Sequence, residues 1–320
     1  MTRVPRITII GEAMLELSGA GEAFVLGDSV RLGQGGDTLN TAIGLARQGC
    51  QVDFITALGR DAWSDAMIAA WQAEGVGTDH VLRHPERRPG LYAIRTDAAG
   101  ERAFDYWRDQ SAAREMFSLP GMDAALAGAA TADLLYLSGI TLSILPEAAR
   151  LRLIRLAGAV RQAGGRVAFD PNYRPTGWSG PAEARTAFDA FAAVTDLALP
   201  TRSDEDMLHP GLGIADHFAR WRGLGVASVV LKDGANGCHV GLGGEAPVHH
   251  PAHPPIAVID TTGAGDAFNA GLLGALTVGA EISAAIKAGS RLASHTIAHP
   301  GAIPPHAGSG SFISQQEHVS

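Results

Sequence analysis

Short β-branched runs alternate with helix-length, alanine- and leucine-rich stretches along most of this chain, and that alternation restricts the folds open to it. Ile7, Ile9 and Ile10 open a run over residues 6–17 that breaks at Gly11-Glu12, and comparable runs follow at 52–58, 134–137, 166–169, 197–199 and 228–231. Between them, residues 38–48, 63–74, 147–163, 181–194 and 215–224 have the length and composition of helices. Near-continuous apolar runs belong to strands buried on both faces, and strands separated by helices build right-handed βαβ units. The pattern therefore predicts an α/β fold whose central, mostly parallel sheet is covered by helices on both sides. Residues 18–31 and 89–108 break the rhythm. In the second, Leu91, Ala93 and Ile94 precede Asp97-Ala98-Ala99-Gly100, and Ala103-Phe104-Asp105-Tyr106-Trp107 follows, which predicts a hairpin placed as a lid over the carboxyl edge of the sheet.

Composition narrows the function. With 320 residues, 46% of them hydrophobic, the chain can bury one large α/β core or two small ones. Its two cysteines, Cys50 and Cys238, lie far apart and outside any CxxC spacing, which points to a reducing, cytoplasmic setting. No apolar run is long enough to span a bilayer, so no membrane partner is expected. A formal net charge of −8 argues against nucleic acid, so an anionic ligand would need a local cluster. Residues 301–320, rich in Gly, Pro, Ser and His, read as an irregular tail.

The segment Asp260-Thr261-Thr262-Gly263-Ala264-Gly265-Asp266 stands before an apolar helical run through Phe268, Leu272, Leu273 and Leu276. Small residues at a helix start leave backbone N–H groups uncovered, and these, with the positive end of the helix dipole, attract an anion such as phosphate. Asp266 falls in the first turn beside that anion, placed to take a proton from an attacking hydroxyl. Gly35-Gly36-Asp37-Thr38-Leu39-Asn40 makes a second glycine-led helix start, where Asn40 is a poor helix-interior residue in want of a polar partner. Either segment alone is compatible with a plain turn and cap, and Lys232-Asp233-Gly234-Ala235-Asn236-Gly237 with a tight hairpin.

Taken together, these segments resemble the ribokinase-like (PfkB) carbohydrate kinases over nearly the whole chain. Gly35-Gly36, Asn40, Ala42, Gly49 and Gly59 match the family's N-terminal signature, and Asp260–Asp266 its C-terminal one. The resemblance implies a three-layer α/β sandwich with a small β lid. It also implies a kinase domain over residues 1–305, lid segments near 12–34 and 88–110, and a tail over 306–320. Its activity would be transfer of phosphate from ATP, with Mg2+, to a sugar hydroxyl. Asp266 would be the base, and the amides of Gly263, Ala264 and Gly265 would stabilise charge on the moving group. The loop at Lys232, Gly234 and Gly237 would hold nucleotide.

Pro89-Gly90-Leu91-Tyr92, Tyr106-Trp107-Arg108, Leu137-Ser138-Gly139-Ile140 and Asp170-Pro171-Asn172-Tyr173-Arg174-Pro175 are similar to the branch of that family acting on 2-keto-3-deoxygluconate. That likeness implies substrate contacts at Gly35, Gly36, Asp37, Asn40 and Ile140, with Tyr92 and Tyr106 as pocket walls. Arg108 would clamp a substrate carboxylate, which suits a sugar acid. Asn172 and Arg174 would stand between sugar and phosphates. Where relatives carry Asn-x-x-Glu, this chain has Thr201-Arg202-Ser203-Asp204 and then Glu205. Asp204 and Glu205 are thus the candidates for the outer shell of Mg2+, with no direct protein ligand assigned. His249, His250 and His253 read as parts of a proline-rich loop and not as metal ligands. A kinase of a neutral sugar and a non-catalytic sugar-binding protein remain alternatives. A dinucleotide-dependent dehydrogenase is disfavoured, since Gly11-Glu12-Ala13-Met14 replaces GxGxxG after the first strand. Lid strands with apolar edges suggest a homo-oligomer.

Overall fold

Alternate residues of a strand point to opposite faces, and in the strand Arg6–Ile10 this sends Ile7 and Ile9 into one core and Ile10 into another. The computed structural model describes residues 4–20, 27, 29–96 and 102–305. Arg6–Ile10 lies inside a ten-stranded sheet, paired in parallel with Gln51–Leu58 on one side and Leu134–Ser138 on the other. Beyond Gln51–Leu58 come two short strands, Val76–Gly77 and Val81–Arg83. Beyond Leu134–Ser138 the order runs through Arg166–Asp170, Leu197–Ala198 and Ser228–Lys232, all parallel, to Cys238–Leu242 and Val248–His250, which are antiparallel. The chain thus builds outward in one direction, then restarts on the far side of Arg6–Ile10. Such a reversal of strand order opens a crevice at the carboxyl ends of the strands.

Helices cover both faces. Asp37–Arg47, Ala62–Ala73, Ala264–Thr277 and Ile282–Thr296 bury Ile7, Ile9, Phe54 and Val230, while Glu147–Gln162, Pro181–Ala192 and Ile214–Gly223 bury Ile10, Leu135, Phe169 and Leu231 on the other side. The predicted three-layer α/β class is the one observed. A separate four-stranded sheet has the order Arg31–Gly35, Met14–Ala20, Gly90–Thr96, Arg102–Trp107. Gly90–Thr96 and Arg102–Trp107 form the expected antiparallel pair; its turn, Asp97 to Gly100, lies outside the described residues, as do the tail residues 306–320.

The periodicity reading missed the helices Met122–Ala129, Gly139–Ile144 and Arg202–Leu208, all short. It also placed His249 and His250 in an irregular loop, whereas both belong to the edge strand Val248–His250. The backbone there is claimed by pairing with Cys238–Leu242, and His249 Nε2 donates to the Asn236 carbonyl at 2.7 Å. Among the described residues no helix is long and apolar enough to cross a membrane.

Candidate active site

Two helix N-termini meet at the carboxyl edge of the large sheet, and close packing about two turns into each helix brings them together. Gly44 of Asp37–Arg47 faces Ala270 of Ala264–Thr277: a Cβ on Gly44 would stand 2.6 Å from that of Ala270, so only glycine permits this approach. One turn earlier on each helix, Asn40 Nδ2 donates to Asp266 Oδ2 at 2.8 Å. The polar partner that Asn40 needs is therefore supplied by tertiary structure. Gly36 leads into the first helix at φ 145, where a Cβ would lie 2.4 Å from the Glu12 carbonyl oxygen. Gly263 leads into the second in the left-handed conformation, φ 74, against Ala302. Both positions require a residue without Cβ.

Asp266 is crowded by anions. Burial first, then the neighbouring Asp37 carboxylate and Asp170, raise its pKa to about 7, while the Asn40 amide and the Lys232 ammonium oppose the shift. Asp37 is held by the Thr38 amide at 2.8 Å and by Asn172 Nδ2 at 2.8 Å. Lys232 closes the other side. Its Nζ reaches Asp170 Oδ2 at 2.5 Å, and a Cβ added to Gly265 would stand 3.7 Å from that ammonium. The amides of Gly263 and Gly265 and the Lys232 ammonium thus flank a single spot beside the Asp266 carboxyl, a fit for a phosphate group, whereas the Ala264 amide, expected with them, is taken by the Thr261 carbonyl at 3.2 Å.

The lid forms the opposite wall. Tyr92 is buried and donates to Glu16 Oε2 at 2.5 Å, with its hydroxyl packed against Gly35, where a Cβ would sit 2.2 Å away. Burial and the Glu16 charge push the Tyr92 pKa far above its ordinary value, so it stays a hydroxyl. Tyr106 lies tilted against Tyr92 with ring centroids 6.0 Å apart, and the Arg108 guanidinium lies 5.8 Å from the Tyr106 centroid. Arg108 also makes an ion pair with Glu12, whose side chain is 1% exposed. Its guanidinium is therefore shared with a protein carboxylate, which the reading of Arg108 as a dedicated substrate clamp did not contain.

The remaining candidates divide. Asn172 joins the cluster through Asp37. Arg174 is exposed at the mouth and pairs with Asp204 at 3.3 Å; burial raises the Asp204 pKa and Arg174 lowers it. Gly234 and Gly237 shape the hairpin after Lys232 at φ 54 and φ 92. Ile140 opens the helix Gly139–Ile144 at the carboxyl end of Leu134–Ser138 and is half-buried, with its carbonyl taken by Ser143. Glu205 must be corrected: it points away from the cluster into the helical layer, 3.2 Å from Trp221 Nε1 and 3.4 Å from Arg220, and burial raises its pKa to about 7. Adjacent residues of one helix face about 100° apart, so Asp204 and Glu205 cannot both line the crevice.

The model of the pfkB family of carbohydrate kinases matches residues 4–307. The chain belongs to the pfkB carbohydrate kinase family. Among curated members of that family, the 2-dehydro-3-deoxygluconokinase of Dickeya dadantii is 45% identical over 305 residues, covering 93% of this chain and 96% of that protein. The enzyme of the same name from Escherichia coli K12 is 42% identical over 306 residues, covering 94% and 97%. Of solved structures, an Escherichia coli protein of the ribokinase II type, in complex with ATP and Mg2+, superposes with a TM-score of 0.81 at 20% identity, covering 94% of this chain and 95% of that one. The fold is therefore ribokinase-like.

Four residues of this pfkB-family site escaped the sequence reading: Glu12, Glu16, Asp170 and Asn269. Two of them carried a usable signal. Glu12 follows the apolar run Ile7–Ile10, and Asp170 follows Val167-Ala168-Phe169, just as Lys232 follows Val229-Val230-Leu231. An ionisable residue at the carboxyl end of a buried parallel strand points to the crevice.

Proposed function

We propose that this chain phosphorylates 2-keto-3-deoxy-D-gluconate, the compound also called 2-dehydro-3-deoxygluconate, at its terminal hydroxyl with ATP to give the 6-phosphate. The observation that carries the reading is the Asp266 carboxyl, with its pKa near 7, beside the amides of Gly263 and Gly265 and the Lys232 ammonium. The hydroxyl oxygen bonds to the γ-phosphorus as the bond to the bridging oxygen of ADP breaks, and the hydroxyl proton passes to Asp266. The helix amides and Lys232 offset the charge on the transferring oxygens. Asn40 orients the carboxylate, and Gly36, Asp37 and Asn172 line the approach of the sugar. Mg2+, when bound, neutralises phosphate charge, and Asp204 is the residue placed to meet its hydration shell. The segments near 12–34 and 88–110 act as a lid on a kinase domain spanning 1–305, keeping water from the phosphoryl group.

The Arg108–Glu12 pair supports a second reading, a kinase of a neutral sugar, because the cation already has a counter-ion. A coupled ADP-release assay with 2-keto-3-deoxygluconate, fructose, ribose and no acceptor separates the two. Turnover confined to the sugar acid supports the first reading, preference for fructose or ribose the second, and silence on all three sugars refutes both.

A base whose pKa is raised to about 7 must be ionised to work, so kcat is expected to plateau above pH 7 and to fall toward roughly tenfold per pH unit below it. A kcat that is flat from pH 5 to 8 at saturating substrates would exclude Asp266 as that base. We also assign the protein to the cytoplasm, where ATP is supplied, an assignment that cell fractionation tests. Phe104, Tyr106 and Trp107 are exposed on the lid's edge strand, and we propose that two chains associate there. A monomer mass in light scattering would rule that out.

A further inference from the structure

Beneath the crevice lies a buried polar chain of which the reaction as written uses only Lys232 and Asn172. Lys232, 7% exposed, ends the strand Ser228–Lys232, and Asp170, 3% exposed, ends Arg166–Asp170. The strand between them, Leu197–Ala198, is only two residues long, so the lysine stem crosses above its end to reach Asp170 Oδ2 at 2.5 Å. Asn269, fully buried one turn into Ala264–Thr277, donates to the same oxygen at 2.7 Å and to Tyr136 Oη at 3.1 Å, and its own Oδ1 accepts from Lys232 at 3.3 Å. Asp170 Oδ1 accepts the Asn172 amide at 3.0 Å. Asn172 has φ 35, and no other non-glycine residue among those described has a positive φ. Two of the three N–H donors of Lys232 are thereby engaged on the buried side, which leaves one for the spot beside Gly265.

We propose that Asp170 is a positioning residue of the transfer step: it fixes the Lys232 ammonium against the first turn of Ala264–Thr277, where the moving phosphoryl group is stabilised. A free lysine has rotamer entropy to lose before it can meet a phosphate, and a partnered one has already lost it. Asn269 completes the cradle from the helix that carries Asp266. This role rests on the phosphoryl-transfer reading, and it concerns Lys232 orientation, separately from which sugar is used.

The test is a double-mutant cycle of Asp170→Asn, Lys232→Met and the double variant, read by kcat, KM for the sugar, pH dependence of kcat and calorimetric affinity for MgATP without acceptor. Each single variant is expected to lower kcat by roughly 10–150-fold, the weight of one hydrogen bond to a charged group, with KM for the sugar little changed. Because Asp170 acts through Lys232, the double variant should be no slower than Lys232→Met. The groups facing Asp266 are Asp37, Asp170, Asn40 and Lys232, with the Tyr92 and Tyr136 hydroxyls, both held neutral by burial. Removing the negative Asp170 should shift the acid limb of kcat to lower pH, and removing the positive Lys232 should shift it to higher pH. A charge effect on Asp266 alone would move the limbs but leave the plateau kcat above them unchanged, whereas loss of Lys232 positioning lowers that plateau. Additive losses in the double variant, or limbs that do not move apart, overturn the proposal. Should Asp170→Asn fail to fold because Lys232 is left unpaired, Lys232→Met against the double variant still decides: equal kcat supports the proposal and a further drop overturns it. Silence of the wild type on every sugar would sink the transfer reading alone, and MgATP affinity would then decide the role of Asp170 by the same comparison.

Discussion

Asp266→Asn is expected to lower kcat by roughly 10²–10⁴-fold while leaving MgATP affinity close to that of the wild type. The amide has the shape of the carboxylate and can still accept from Asn40, which donates at 2.8 Å, but it cannot take the hydroxyl proton. The sign of the stability change separates this role from a structural one. Asp266 titrates at about 7 in the fold against 3.8 as a free side chain, so the folded state binds its proton more tightly than the unfolded chain does. As pH rises from 3.8 to 7, ionisation therefore costs the folded state stability, and the full cost persists above 7. The neutral amide escapes that cost beside Asp37 and Asp170. Asp266→Asn should accordingly melt at the same or a higher temperature than the wild type at pH 8. A variant that is slow because it is unfolded, or one that is as fast as the wild type, would contradict the assignment.

Arg108→Leu is expected to destabilise the protein by about 3–5 kcal/mol, because it leaves the buried Glu12 carboxylate without its counter-ion. The same change should raise KM for a sugar acid by roughly 10–150-fold, the range of a hydrogen bond to a charged group. These effects come apart in Glu12→Gln/Arg108→Leu, which removes both charges and should recover most of the lost melting temperature. If Arg108 holds the substrate carboxylate, the double variant keeps the raised KM for the sugar acid and has unchanged kinetics on any neutral sugar. A double variant with wild-type KM for the acid would confine Arg108 to bracing the lid strand against the strand Arg6–Ile10. Glu12→Gln alone distinguishes a third case, in which the counter-ion restrains Arg108: KM for the acid then falls.

Local patterns settled much of this molecule. A run such as Val229-Val230-Leu231 is apolar at every position, so it must be a strand buried on both faces, and the helix-length stretches between such runs leave few folds beyond a layered α/β sandwich. The glycines at 35, 36, 263 and 265 with Asp266 were equally legible, because backbone conformation and helix-end electrostatics act over a few neighbouring residues. Partnership was not legible. That Asn40 meets Asp266 depends on Gly44 fitting against Ala270 across 226 residues of chain, a match of surfaces that no spacing encodes. Glu205 looked equivalent to its neighbour Asp204 until the helix Arg202–Leu208 turned one carboxylate toward Arg174 and the other toward Trp221. Arg108 was legible as a cation, but its buried counter-ion Glu12 was not, since the two meet only where the lid strand crosses the end of Arg6–Ile10. Propensity, periodicity and helix-end charge are properties of short segments and survive in the sequence. The pKa of Asp266 and the direction of Lys232 arise from charges that tertiary packing brings within a few ångströms, so only the fold could decide them.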